Sequence, residues 1–278
     1  MNSFYIIVLV VIIVLLLIYF WIQNHDLKIS RFAIKDKKIP KEFNEYKILQ
    51  ISDFHNSFSK KVHNSIENAV INEKPDIVVI TGDLIGNTIT NYKTSLNFVK
   101  RIIKYSPVYY VNGNHEAAEE SYKKLEKGLR KIGVVVLRNE YILLQKNNAK
   151  INLIGVDDPY FSYIKCKKTK LDKIIINNDY YKILLSHRPE LFDEYCDNKM
   201  DLVFTGHAHG GQVILPLVGS LFAPNQGLFP KYTKGLIEKD NTKMIVSRGV
   251  SNSSFPYRIN NKVEIIIAIL KSCDKGEK

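Results

Sequence analysis

Five short apolar runs in this chain end on polar clusters of one kind. ILQIS runs into Asp53-Phe54-His55, IVVIT into Gly82-Asp83, and VYYV into Asn112-Gly113-Asn114-His115-Glu116. ILLS runs into His187-Arg188, and LVFT into Gly206-His207-Ala208-His209. Continuous apolar runs of this length are the signature of strands buried on both faces. In layered α/β proteins such strands end beside the functional site, because sites gather at the carboxyl ends of strands.

Between the runs lie helical patterns. VHNSIENAVINE (62–73) places Val62, Ile66, Ala69 and Val70 at helical spacing. YKTSLNFVKRII (92–103) and ESYKKLEKGLRKI (120–132) are amphipathic, and Gly133 follows the latter as a stop. The first half therefore alternates strand and helix. The second half holds VVVL, INLIGV, YKILLS, DLVF, KMIVS and VEIIIAIL, all strand-like, with one short helical run, LDKIIIN. This predicts an α/β domain over residues 45–271, with packed sheets and helices outside. Residues 24–44 read as a basic linker and 272–278 as a polar tail. The scattered cysteines, Cys166, Cys196 and Cys273, show no CxxC spacing, which argues against a disulfide framework and a thiolate metal site.

The strand ends supply Asp53, His55, Asp83, Asn114, His115, His187, His207 and His209, including five of the seven histidines. Singly, each has a plain structural explanation: Asp83 after Gly82 caps a turn, and a lone histidine satisfies a core contact. Together they form a set of carboxylates, an amide and imidazoles without thiolate. Such a set suits Mn²⁺, Fe or Zn²⁺, and holds too many imidazoles for Ca²⁺. It exceeds the needs of one ion and fits two ions sharing a carboxylate.

The amino terminus has a separate logic. FYIIVLVVIIVLLLIYFWI, Phe4 to Ile22, carries no charge, with aromatic residues at both ends. As a helix it measures about 28 Å, close to the hydrocarbon thickness of a bilayer. A cleaved signal peptide would have a basic start and a small-residue cleavage site; MNS and WIQNHD are neither. Residues 1–23 thus read as a single-pass anchor in the cell membrane. Lys28, Arg31, Lys35, Lys37, Lys38 and Lys41 follow it, placing the body on the cytoplasmic side by the positive-inside rule. The formal net charge of +12 fits a solvated basic surface or an anionic partner, membrane lipid or a phosphorylated substrate. No nucleic-acid-binding motif is present, so nucleic acid ranks last among partners.

The ordered set DxH, GD, GNHE, a lone His after a strand, and GHxH resembles the calcineurin-like metallophosphoesterases. GHAHGGQ, LPLVGSLFAPNQGLFPKYTKGLIE and VSRGVSNSSFPYR look like the membrane-associated bacterial branch, which is linked with hydrolysis of UDP-2,3-diacylglucosamine. The resemblance implies a four-layer α/β/β/α sandwich and two divalent metal ions (Mn²⁺, Fe²⁺/Fe³⁺ or Zn²⁺). It implies that Asp53, His55 and His209 hold one ion, that Asn114, His187 and His207 hold the other, and that Asp83 bridges them. A metal-bridging hydroxide would attack phosphorus in line, with catalytic His115 beside the ions.

Three functions follow: a membrane-anchored phosphoesterase acting on a lipid-linked or nucleotide-linked phosphate, a phosphodiesterase or nuclease on soluble substrates, and a non-catalytic binding module. Arg188, Arg248 and Arg258 are candidates to grip phosphate, against the plainer reading of surface ion pairs. The apolar loop 214–230 reads either as a lipid-facing entrance or as packing against the second sheet.

Overall fold

The computed structural model describes residues 3–57, 59–86, 92–118, 121–161, 168–252 and 255–273. Cys166 and most of the expected polar tail lie outside them. Five strands come from the first half of the chain: β1 (Lys28–Asp36), β2 (Lys47–Ile51), β3 (Ile77–Thr81), β4 (Val108–Val111) and β5 (Val135–Val136). β6 (Glu140–Lys146), β7 (Ala149–Gly155), β8 (Lys182–Leu185) and β9 (Leu202–Thr205) follow. Two small hairpins come next, β10 (Ile214–Leu215) with β11 (Gly219–Ser220), and β12 (Phe222–Ala223) with β13 (Gly227–Leu228). β14 (Gly235–Lys239), β15 (Thr242–Val246) and β16 (Glu264–Ser272) complete the set.

Two six-stranded sheets form, ordered β1-β16-β2-β3-β4-β5 and β14-β15-β9-β8-β7-β6. The run from β2 through β5 is parallel, as is β15-β9-β8-β7. The parallel neighbours end together: Ile51 lies opposite Ile80, Thr81 opposite Val111, Leu185 opposite Phe204, and Thr205 opposite Val246. Strand alternation then sorts side chains into layers. Leu49, Ile51, Val78 and Ile80 meet an outer helix layer of α2 (Lys60–Glu73), α3 (Lys93–Ile102) and α5 (Tyr122–Lys131). Ile48, Val79 and Ile266 face Leu153, Ile183, Phe204 and Ile245 between the sheets. Leu184, Val203 and Met244 pack under α6 (Phe192–Asp197). The result is the expected four-layer α/β/β/α sandwich, preceded by α1 (Ser3–His25). A short helix, α4 (Asn114–Ala118), begins inside the GNHE cluster.

Local signals explain the element limits. Ser59 Oγ accepts from the Val62 amide, so α2 starts earlier than its apolar stripe. LDKIIIN makes only a 3-10 turn at Leu171–Lys173. Its consecutive β-branched residues disfavour helix, and the run is too short to nucleate one.

The expected linker is the main correction. Within residues 24–44, β1 pairs in parallel with β16 over its full length, from Lys28 opposite Glu264 to Asp36 opposite Ser272. Ile34, Ile39 and Phe43 are buried between the sheets, and Lys38 Nζ reaches Asp201 Oδ1 at 2.8 Å. Lysines along an edge strand make it read as polar, and they also block edge-to-edge association. Ser272, assigned to the tail, ends β16. If residues 24–44 were a linker, Ile34→Ala would be silent; in this fold it should destabilise the domain by about 2–5 kcal/mol. Denaturant unfolding of the solubilised full chain measures this, and a change below about 0.5 kcal/mol would restore the linker reading.

Candidate metal centre

All five polar clusters emerge from the common edge where the parallel strands stop. Both sheets are tied together there. Gln50 Nε2 donates to Thr205 O at 2.8 Å and to Thr81 Oγ1 at 2.9 Å, and the His207 amide donates to Asp53 Oδ1 at 3.1 Å. Each chain turns sharply on leaving its strand. Asp53, His55, Asp83, His207 and His209 all adopt left-handed backbone, with φ between 47° and 65°. For a residue other than glycine this costs of order 1–3 kcal/mol, and it persists only where surroundings enforce it. Two glycines let the turns close up. A Cβ on Gly206 would strike Ser52 and Asp53, and one on Gly113 would strike the Asp83 carboxylate.

Three groups of potential ligand atoms result, each within 4.8 Å of one another: Asp53, His55 and His209; His55, Asp83 and His115; Asp83, His187 and His207. Asp83 Oδ2 lies 3.1 Å from His187 Nε2, 3.7 Å from His115 Nε2 and 3.9 Å from His55 Nε2. His209 Nε2 lies 3.4 Å from Asp53 Oδ1 and 3.3 Å from His55 Nε2. Asn114 opens α4, and its buried Oδ1 has no hydrogen-bond partner. Asp83 Oδ2 and His187 Nε2 are likewise buried without one. Unpaired buried polar atoms are costly, and a cation among these would satisfy all of them. The donor set therefore fits metal.

At three of the imidazoles the electrostatics agree with that fit. Burial drives the His55 pKa down to about 4 and that of His209 to about 3, against nearby carboxylates. Burial, with Arg188 and His187, puts His207 well below its ordinary value. These imidazoles stay neutral and keep a lone pair for a ligand bond. Burial opposes charge on His187, but the Asp83 carboxylate overrides it and raises the pKa to about 10. Burial also works against Asp83, yet His187, His55 and His115 hold it well below the usual carboxylate range.

Surrounding groups fix these side chains. His187 Nδ1 lies 2.8 Å from Thr81 O and His209 Nδ1 lies 3.2 Å from Ser251 O, so both donate from Nδ1 and leave Nε2 free. Arg258 Nη2 donates to the same Ser251 carbonyl at 2.6 Å, and Asn261 Nδ2 to His209 O at 2.7 Å. His207 Nε2 is 3.0 Å from Asn225 Oδ1 and 2.8 Å from Arg188 Nη1.

The arginines are not surface ion pairs in the sense expected. Arg188 is buried and makes a two-pronged bond to Asp158, at 2.5 and 3.0 Å. Arg258 is fully buried and bonds Asn252 Oδ1 and two backbone carbonyls. Burial pulls its pKa down to about 10. Only Arg248 faces a carboxylate loosely, with Nε 3.6 Å from Glu264 Oε1.

Sequence reading overlooked several partners. Glu116 accepts from the amides of Asp83, Gly113 and Ile85 at 2.9, 2.7 and 3.1 Å, although it stood in the GNHE cluster. Burial and the Asp83 charge push its pKa up to about 8, against those three donors. Asp158 follows the apolar run INLIGV, a sixth strand end that carried the same signal. Asn225 and Asn261 had no local signal at all.

The family model for calcineurin-like phosphoesterases matches residues 46–211, more than half of the chain. Among curated relatives, the uncharacterized metallophosphoesterase YkuE of Bacillus subtilis (strain 168) is 28% identical over 257 residues, covering 91% of this chain and 88% of its own. The phosphodiesterase YaeI of Escherichia coli (strain K12) is 27% identical over 227 residues, covering 79% and 80%. Among solved structures, TT1561 of Thermus thermophilus superposes with a TM-score of 0.49 at 12% identity, covering 74% of this chain and 90% of that one. Motif order, fold and family match agree: the chain belongs to the calcineurin-like phosphoesterases, metal-dependent hydrolases of phosphoesters.

Proposed function

We propose that this protein is a membrane-anchored phosphoesterase that holds two divalent ions and cleaves a lipid-linked or nucleotide-linked phosphoester or diphosphate. The observation that carries the reading is the gathering of two buried carboxylates and four buried imidazoles in overlapping groups that share His55 and Asp83, with Asp83 Oδ2, His187 Nε2 and Asn114 Oδ1 buried without hydrogen bonds. Asp53, His55 and His209 would hold one ion, Asn114, His187 and His207 the other, with Asp83 shared. When bound, the ions would supply Lewis acidity and a water of lowered pKa. Manganese, iron and zinc all suit the ligand set.

The chain's own groups account for the rest of the chemistry. His115 sits at the rim of the cluster, its backbone amide donating to Asp83 Oδ1 at 3.0 Å. From there its imidazole would place a proton on the leaving oxygen as the phosphorus–oxygen bond breaks. Arg188, paired with Asp158, positions His207.

Helix α1 has a mean hydropathy of 3.2 over its most apolar window, and none of that window is buried against the body. With the lysines that follow it, this supports a single span and a cytoplasmic domain. The relative named a phosphodiesterase supports a phosphate-ester substrate. An apolar span beside the site supports a lipid-linked one, such as UDP-2,3-diacylglucosamine.

Asp83→Ala should lose bound metal by elemental analysis and lose turnover of bis-p-nitrophenyl phosphate. His115→Ala should keep its metal while turnover falls about 10²–10⁴-fold; wild-type rates in both variants would sink the assignment. Arg258→Ala, which frees the Ser251 carbonyl that orients His209, should weaken metal affinity about 10–100-fold in chelator competition. In cells stripped of their wall, external protease should spare the domain, and its digestion would reverse the orientation.

A further inference from the structure

Among the described residues outside α1, exposed large apolar side chains recur most densely along the two hairpins. Leu217, Val218, Phe222, Leu228 and Phe229 stand on the two hairpins, and Phe255 on a neighbouring turn. Leu217, at 109% relative exposure, touches almost nothing. Exposed apolar side chains gathered on one segment in this way mark an interaction site.

The patch is continuous with the membrane helix. Asn260 joins the two: its amide donates to Tyr19 Oη at 2.8 Å, Tyr19 Oη donates to Asn260 Oδ1 at 3.0 Å, and Asn260 Nδ2 donates to Ile214 O at 3.0 Å. The rings of Phe20 and Tyr257 lie 4.9 Å apart. Tyr19 precedes Ile22, the end of the apolar run, by about 4.5 Å along the helix axis at 1.5 Å per residue. With α1 as a span, the root of the first hairpin would lie at the boundary between hydrocarbon and headgroups. A cation lies at the same level: Lys61 Nζ is 4.2 Å from the centre of the Trp21 ring. Lysines beside aromatics are the composition of a membrane interface.

The hairpins also touch the metal centre. Ser220 Oγ donates to Gly210 O at 3.1 Å, and Asn225 Oδ1 accepts from Arg188 and lies 3.0 Å from His207 Nε2. The first hairpin exposes its apolar turn, Leu217-Val218, and bonds the centre from its root at Ser220; the second reaches the centre with its turn residue Asn225 and exposes Phe222, Leu228 and Phe229 on its strands and open end.

We propose that the hairpins over 214–229 and the turn at 255–257 insert into the leaflet that surrounds the end of α1. This second membrane contact rests on the reading of α1 as an anchor. It seats the mouth of the metal centre on the bilayer surface, so the substrate is a phosphate ester of a membrane amphiphile taken up from the plane of the leaflet.

Tryptophan fluorescence of the full chain in vesicles tests this, because Trp21 is the sole tryptophan. The vesicles contain phosphatidylglycerol and phosphatidylcholine brominated in the upper acyl chain. Leu217→Trp in a Trp21→Phe background should emit blue-shifted light and lose intensity to bromine. Leu143→Trp in the same background, exposed on the far edge strand β6 of the second sheet, should emit as in water and keep its intensity. Wild-type Trp21 reports the anchor itself. If Trp21 is quenched but the Leu217→Trp probe is not, insertion of the hairpins is overturned and the anchor stands. A blue shift without quenching also overturns it, since protein and not lipid then covers the patch. If Trp21 is unquenched, the anchor reading fails and the insertion with it.

Discussion

The Asp83 carboxylate meets imidazoles from three separate strand ends, with His187 at 3.1 Å, His115 at 3.7 Å and His55 at 3.9 Å. Its Oδ2 is buried and accepts no hydrogen bond. A buried carboxylate in that condition is tolerable only beside positive charge. Every neighbouring feature serves to keep it there. Glu116 receives the Asp83 amide, Gly113 has no room for a side chain, and the backbone at Asp83 is held left-handed. The surrounding fold therefore carries strain at its strand ends, and the apolar layers beneath supply the stability that offsets it.

Charge is placed around this carboxylate in two different ways. Arg188 is buried and paired bidentately with Asp158, and its guanidinium, 2.8 Å from His207 Nε2, helps keep that imidazole neutral. Arg258 is buried with carbonyls and an amide oxygen only, and burial lowers its pKa to about 10. Guanidinium forms planar bonds to carbonyls at low hydration cost, which lysine would not. Its position behind Ser251 suits a group that sets the orientation of His209, whereas Arg188 holds His207 directly and through Asn225.

The cluster was legible in the sequence because strand ends in α/β folds lie at one edge, so polar residues after apolar runs converge without any knowledge of distances. Asp158 was legible by the same rule, since INLIGV runs into Asp157-Asp158. What escaped has a common cause: it depends on contacts distant along the chain. β1 carries lysines that mimic a linker, and only its register with β16 shows it to be a strand. Asn261 reaches His209 across 52 residues, and Asn225 reaches His207 across 18, with no periodic signal in either case. Arg258 follows a proline and tyrosine in an irregular segment, and its burial follows from the packing of that segment against the end of α1.

That packing gives α1 a structural part in the domain. Only Asp26 and Leu27 separate α1 from β1. The last turn of α1 is not free either: Gln23 is buried, its Oε1 accepting from the Asn261 amide at 2.9 Å and its carbonyl from the Val263 amide at 3.2 Å. Asn252 donates to Asn24 Oδ1 at 2.6 Å while accepting from Arg258 Nε at 2.8 Å. Asn261 and Arg258 are the two residues that brace His209, one at its carbonyl and the other through Ser251. A helix end bonded in this way cannot act as a flexible tether. With α1 in a bilayer, the edge of the first sheet and the metal cluster would keep a set height and tilt above it. The membrane would then orient the site through hydrogen bonds one residue removed from a candidate ligand.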